Sequence, residues 1–190
     1  MINTQNLHSI LSSYGDQVEL DYKFDPEETI LELYNLDWQE VINNKSAINF
    51  NGSIDNLMAD KHAHNQEWNS NLDACPSIKK FFDKFDSLAK CRAFKLDKGS
   101  YFAPHRDAWR YNEQFRIVVF LNKTEKEDFM FFLDDKIVYF KPGVPYILNT
   151  RKVHGSFCMS DNVYHIVMSV FLTKENMDVV MNMLPHINEH

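Results

Sequence analysis

The stretch "CRAFKLDKGSYFAPHRD", residues 91–107, decides how this chain is read. Its side chains alternate with a period of two through Cys91–Leu96 and again from Ser100, and Asp97-Lys98-Gly99 between the two runs has turn chemistry. Alternation of that kind belongs to a strand with two unlike faces, and here it predicts two strands joined by a tight turn. The same period continues outward through "FRIVVFLN" (115–122), "DFMFFL" (128–133), "KIVYF" (136–140), "PYILN" (145–149) and "VYHIVMSVF" (163–171). Asp134-Asp135-Lys136 and Lys141-Pro142-Gly143 supply further turns. So many short strands with almost no helix between them exclude a parallel α/β sheet, whose crossovers need helices. They predict a mainly β chain folded as an antiparallel sandwich or barrel.

Composition agrees with a packed interior. The chain has 190 residues, is 44% hydrophobic and carries 15 Phe and 8 Tyr against 5 Gly, so large rings rather than glycine loops fill the core. No glycine-rich phosphate loop is present. The formal net charge is -7, which sets the molecule as a whole against a nucleic-acid backbone. No apolar run reaches membrane-spanning length. Three cysteines (Cys75, Cys91, Cys158) without a CxxC pair, and no secretory leader, predict a reducing, cytoplasmic setting.

Ahead of the strands, residues 1–87 read as an irregular and helical region packing on the core. "PEETILELYNL" forms a short helix after Pro26 on Ile30, Leu31, Leu33 and Tyr34. "SIKKFFDKFDSL" (77–88) forms a second, with Ser77 as its cap and Ile78, Phe81, Phe82 and Phe85 inward. Residues 88–172 are the β core. Residues 173–190 hold a closing helix capped by Thr173, with Met177, Val180, Met181 and Leu184 on its core face. The three parts make one domain.

On a strand, residues 103, 105 and 107 share a face, so His105 and Asp107 point the same way. An imidazole and a carboxylate converging there can share a divalent metal, and His154 of "KVHGSF" can complete the set from a neighbouring strand. Two histidines and one carboxylate on one side of an octahedral ion leave the other side open, the donor set of non-haem Fe(II) oxygenases. A bare His-x-Asp is common at strand ends; the all-β setting and the late histidine give it weight. "HRD" at 105–107 also matches a kinase triplet, but the chain lacks the rest of that machinery. "HAH" at 62–64 reads as a solvated segment rather than a second metal pair. Trp109, Arg110 and Tyr111 either recognise substrate or anchor a loop.

"FKLDKGSYFAPHRD", then "FRIVVFLN", then "FKPGVPYILNTRKVHGSF" together resemble the Fe(II)- and 2-oxoglutarate-dependent oxygenases, and most of all their aspartyl/asparaginyl β-hydroxylase-like branch. The resemblance covers about residues 88–172 and rests on order and spacing. It implies a double-stranded β-helix (jelly-roll, cupin-like) core with His105, Asp107 and His154 as iron ligands. It also implies 2-oxoglutarate as cosubstrate and dioxygen as oxidant. The implied reaction hydroxylates an unactivated C–H bond of an Asp-, Asn- or Pro-type side chain, in a protein, a peptide or a free amino acid, with release of succinate and CO2.

The family's cation for the distal carboxylate of 2-oxoglutarate commonly follows the distal histidine, where this chain has Val163 and then His165. Arg116, at the head of an apolar strand, is the expected substitute, with Tyr101 and Asn149 as further donors. Each has a plain alternative: Arg116 as a strand-end surface residue, His165 as a hydrogen-bonded core histidine, Tyr101 as packing. A catalytically silent jelly-roll binding module is the rival to an enzyme. Arg106, Arg110, Arg151 and Lys152 are expected to form a basic rim able to attract an acidic peptide.

Overall fold

Strands of residues 88–172 pair antiparallel into two sheets stacked face to face, as the alternating pattern requires. The computed structural model describes residues 13–51, 68–107 and 114–184. In chain order the elements are β1 (Gln17–Glu19), α1 (Pro26–Tyr34), β2 (Gln39–Val41), β3 (Lys45–Asn49), α2 (Ser70–Asp73), α3 (Pro76–Phe82), β4 (Leu88–Leu96) and β5 (Tyr101–His105). They continue with β6 (Gln114–Phe120), β7 (Phe129–Leu133), β8 (Lys136–Val138), β9 (Pro145–Leu148), β10 (His154–Cys158), β11 (Val163–Phe171) and α4 (Lys174–Asn182). The larger sheet runs β1-β9-β6-β11-β4-β3-β2 and the smaller β5-β10-β7-β8. From β4 to β11, the chain passes back and forth between the two sheets in the manner of a jelly roll, with β7 and β8 a hairpin within the smaller one.

The larger sheet is buried on both faces, which is why "FRIVVF" reads as an almost unbroken apolar run. One face meets the helices: Leu33 of α1, Ile78, Phe81 and Phe82 of α3, and Met177 and Val180 of α4 pack on Ile117, Val119, Ile166, Met168 and Ile147. The other face meets the smaller sheet through Phe94, Leu96, Val118, Phe120, Tyr146, Leu148 and Val163 against Phe129 and Cys158. Among the described residues, the smaller sheet has no such cover. Tyr101, Met130, Ile137 and Phe157 on its strands are exposed.

Residues ahead of β4 do more than wrap the core. β1 extends one edge of the larger sheet, and the β2–β3 hairpin extends the other, with Lys45 to Asn49 registered against Leu96 to Arg92. Strands of three to five residues are too short for their alternation to be read. The hairpin carries one legible mark: Asn43 and Asn44 both have positive φ, the conformation asparagine tolerates in tight turns.

The helices follow the expected apolar spacing, with three corrections. Cys75, not Ser77, caps α3, because Pro76 occupies its first turn; the Ser77 N–H and hydroxyl instead donate to the Glu32 carboxylate of α1. That helix stops at Phe82, and Phe85 packs from the following turn. On α1 and α4, Leu31, Tyr34 and Met181 face outward, one residue off the buried stripe. Thr173 caps α4 as anticipated, its hydroxyl accepting from the Asn176 N–H.

All three cysteines are free and buried, and burial pushes the thiols of Cys75 and Cys91 up to about 12, which leaves them unreactive. No helix among the described residues is long and apolar enough to cross a membrane. Residues 62–64 and 109–111 lie outside the described residues.

The turn at Lys141-Pro142-Gly143 ties the amino-terminal segment to the core. Gly143 has φ +76, its N–H donates to Phe120 O, and its carbonyl accepts from the Phe24 N–H. A Cβ at this position would stand 2.5 Å from Phe24 O. Gly143→Ala is therefore expected to cost about 1–3 kcal/mol, read as a lower urea midpoint at unchanged slope.

Candidate metal centre

Proline at position 104 shapes the site. It has no N–H for the β5–β10 ladder, and the register slips there: Tyr101 opposes Phe157 and Phe102 opposes Ser156, but His105 opposes His154. Ala103 and Pro104 together face Gly155, which is a β-bulge with one extra residue on β5. The slip changes which side chains point inward. Phe102 lines the interior before the bulge and His105 after it, while Tyr101 is exposed. Strict alternation would place Tyr101 and His105 on one face; the extra residue is why they are not, and Tyr101 does not line the pocket.

His105 and His154 thus meet across the ladder with ring centroids 4.3 Å apart. Nδ1 of His105 lies 2.8 Å from Ala103 O, and Nδ1 of His154 lies 3.0 Å from Lys152 O. A carbonyl only accepts, so each Nδ1 donates, and in the neutral ring Nε2 is the nitrogen that keeps a lone pair. Asp107 is brought in by its own backbone, whose N–H donates to Thr150 O at 3.0 Å. One ligand atom from each of His105, Asp107 and His154 lies within 4.8 Å of the others. Asp107 Oδ1 stands 3.6 Å from His105 Nε2, while Oδ2 accepts from Arg116 Nε at 2.9 Å. Two imidazole nitrogens and one carboxylate oxygen, each locked from behind, fit a divalent metal of the Fe(II) or Mn(II) kind. His154 is buried, but the His105 side chain is 46% exposed, so the centre opens outward on that side.

Electrostatics favour the metal-binding protonation states. Burial alone would raise the Asp107 carboxyl, but the charge and hydrogen bond of Arg116 outweigh it and hold the group below its ordinary value. Burial pushes the His154 imidazole downward, keeping it neutral.

Behind the centre a pocket of about 420 Å³ runs between the sheets. Its inner end is apolar: Phe94, Phe102 and Phe120 pack on His165, whose ring is stacked between Phe94 and Phe120 at 5.1 and 4.9 Å, and Phe129 and Phe131 add to the lining. Among the described residues His165 Nδ1 has no hydrogen-bond partner, and burial takes its pKa down to about 3. The outer end is basic, with Lys90, Arg92, Arg106 and Arg116 on the lining.

Of the residues expected to hold the cosubstrate, Arg116 and His165 line the pocket and two do not. Arg116 is paired with Asp107, which makes it a partner of a candidate metal ligand. Asn149 donates to Asp16 Oδ1 at 2.9 Å, away from the pocket, because the edge strand β1 draws it there. Lys152, expected on a basic rim, is bound to Asp16 and Asp134. Lys90 and Arg92 went unnoticed in the sequence, although "LAKCRAFKL" puts them in phase with Phe94 and Leu96. The facing set, Ala89, Cys91 and Ala93, is small and apolar and draws the eye as the buried side.

The chain matches no family model and no curated protein. Among solved structures, it is similar to an oxidoreductase of the 2OG-Fe(II) oxygenase family from Burkholderia pseudomallei, with TM-score 0.59 and 14% identity over 89% of this chain and 90% of that one. It is also similar to the viral collagen prolyl hydroxylase of Paramecium bursaria Chlorella virus-1, solved as its 2OG complex, with TM-score 0.54 and 12% identity over 86% and 99% of the two chains. At these identities the likeness establishes the jelly-roll fold, one that proteins of the 2OG-Fe(II) oxygenase family share.

Two outcomes follow from this geometry. Arg116→Met removes the group that orients Asp107 and is expected to weaken Mn(II) binding about 10- to 100-fold by calorimetry; His154→Ala weakens it further. For His165, the folded value lies below the unfolded 6.5, so its contribution is intact above pH 6.5 and is lost as pH falls toward 3. The slope is about 1.4 kcal/mol per pH unit. His165→Phe should flatten the wild-type loss between pH 6.5 and 4.5 by that amount, measured as urea midpoints.

Proposed function

We propose that this chain is an Fe(II)- and 2-oxoglutarate-dependent dioxygenase of the aspartyl/asparaginyl β-hydroxylase-like kind. Its proposed substrate is an Asp-, Asn- or Pro-type side chain in a peptide or a free amino acid. The observation that carries this reading is the triad itself: His105, Asp107 and His154 converge from one side, with both Nδ1 positions tied to backbone carbonyls and Asp107 held by Arg116. Bound there, Fe(II) would supply the coupling of 2-oxoglutarate decarboxylation by dioxygen, to succinate and CO2, with hydroxylation of a C–H bond.

The chain's own residues would do the rest. Each imidazole presents Nε2 as a ligand and is kept from rotating by its Nδ1 bond. Asp107 stays ionised beside Arg116 and offers Oδ1 to the metal while Oδ2 is engaged. The exposed side at His105 is the entrance for the substrate, and the enclosed pocket excludes water from the cosubstrate's side. The solved neighbour named as a collagen prolyl hydroxylase supports a side chain of a peptide as the target. The net charge of -7 supports a partner other than nucleic acid.

A jelly-roll binding module without catalysis is the second reading, favoured by one observation: Val163 and neutral His165 stand inside β11 where the resemblance anticipates a cation. Anaerobic addition of Fe(II) and 2-oxoglutarate separates the two. A dioxygenase gives a weak visible charge-transfer band and, on admitting air, succinate in step with 2-oxoglutarate consumed. His154→Ala abolishes both signals. Absence of the band from correctly folded wild-type protein leaves the binding module.

A further inference from the structure

Phe94 of β4, His165 of β11 and Phe120 of β6 are direct partners across three adjacent strands, so the imidazole stands between two phenyl rings on the inner face of the larger sheet. Arg116, which holds Asp107, lies on the same lining four residues before Phe120, about 13 Å along β6. The chamber around His165 is thus the end of the pocket remote from that pair. Phe102 meets the His165 ring edge-on at 6.1 Å, and Phe129 packs on Phe120 at 4.7 Å. Ser156 of β10, a buried residue registered against Phe102 and Phe131, adds a hydroxyl to the lining.

His165 is 5% exposed, and among the described residues its Nδ1 has no hydrogen-bond partner. A phenylalanine in the same row would complete the stack without leaving a desolvated nitrogen unsatisfied, so the imidazole costs stability where it stands. The same side chain borders the pocket, which puts a pocket ligand within its reach. Each long edge of an imidazole carries one nitrogen, so whichever edge faces the pocket presents a hydrogen-bonding atom. Burial keeps the ring neutral, with one nitrogen donating and the other accepting. A hydroxyl both donates and accepts and therefore matches either tautomer. A carboxylate or an ammonium does not, because desolvating a full charge among phenylalanines costs more than a neutral imidazole and a serine hydroxyl offset.

We propose that the chamber around His165 is a binding site for an uncharged, hydroxyl-bearing aromatic ring, with the imidazole as its specificity-determining hydrogen-bond partner. The class of ligand is a phenol. Phe102, Phe129 and Phe131 on the lining supply the edge and face contacts that a ring prefers, and His165 selects the ring that carries a hydroxyl. The site stands beside the dioxygenase reading without resting on it, since it needs no metal. It adds that a ligand filling the inner end of the pocket terminates there in a neutral group.

Titration of the full chain at neutral pH with phenol, toluene and benzoate tests this, because the three share one ring and differ in carrying a hydroxyl, a methyl or a charge. In protein with isotopically labelled histidine, phenol is expected to shift the His165 ring-nitrogen resonances and benzoate to leave them in place. Phenol should also bind at least about fivefold more tightly than toluene. His165→Phe, verified as folded by circular dichroism, should lower phenol to the affinity of toluene by calorimetry, and the wild-type nitrogen shifts decide the matter if that variant does not fold. The proposal is overturned by equal binding of phenol and toluene to wild type, by a phenol preference that persists in folded His165→Phe, or by benzoate binding at His165 as tightly as phenol. Three probes that all leave the His165 nitrogens unmoved overturn it as well. None of these outcomes touches the dioxygenase reading, which the Fe(II) and 2-oxoglutarate band decides separately.

Discussion

A proline cannot give an N–H to a β-ladder, and that constraint at Pro104 organises the centre of this molecule. The bulge it imposes on β5 adds one residue to the strand, so that Phe102 and His105 both face inward although three positions separate them. His105 then opposes His154 on β10, and the chain leaving the strand carries Asp107 to the same point, where the Thr150 carbonyl receives its N–H. Gly155 allows the close approach: a Cβ there would stand 2.5 Å from the Phe132 ring and 2.8 Å from Phe102 O. The geometry of the candidate metal centre is thus a property of the backbone first and of the side chains second.

Most of the β architecture was legible because its strands alternate and its turns carry their own chemistry. Asp134 and Gly143 adopt the positive φ that their positions in the predicted turns require. What escaped reading were elements whose stability comes from partners rather than from pattern. β1 and the β2–β3 hairpin are three to five residues long, and they are strands because β9 and β4 offer them open edges. Similarly, Ser77 looks like a cap by composition, yet Glu32 on another helix takes its hydrogen bonds.

The centre was legible to a different degree in each part. His105, Asp107 and His154 could be picked out because metal-ligand chemistry restricts the residue types and the strand pattern restricts their direction. Tyr101 could not be placed correctly from alternation, since the bulge that moves it outward depends on how β5 pairs with β10. Arg116 was marked as unusual at the head of an apolar strand, and the structure pairs it with Asp107. Lys90 and Arg92 were hidden by an inverted cue: on a strand buried on both faces, the cations sit on the pocket side and the small apolar residues under the helices.

The two sheets differ in how they are supported. Among the described residues, the larger is sandwiched between the helices and the interior, whereas the smaller packs on its inner face only and leaves Tyr101, Met130, Ile137 and Phe157 exposed. Amide protons of β5 and β10 consequently exchange through smaller, local openings than those of β6 and β11, which are released only when the whole domain comes apart. The wall that carries both histidines can breathe, and the wall that carries the cations stays shut. A ligand entering the pocket would draw on the compliance of one layer while the opposite one keeps its shape.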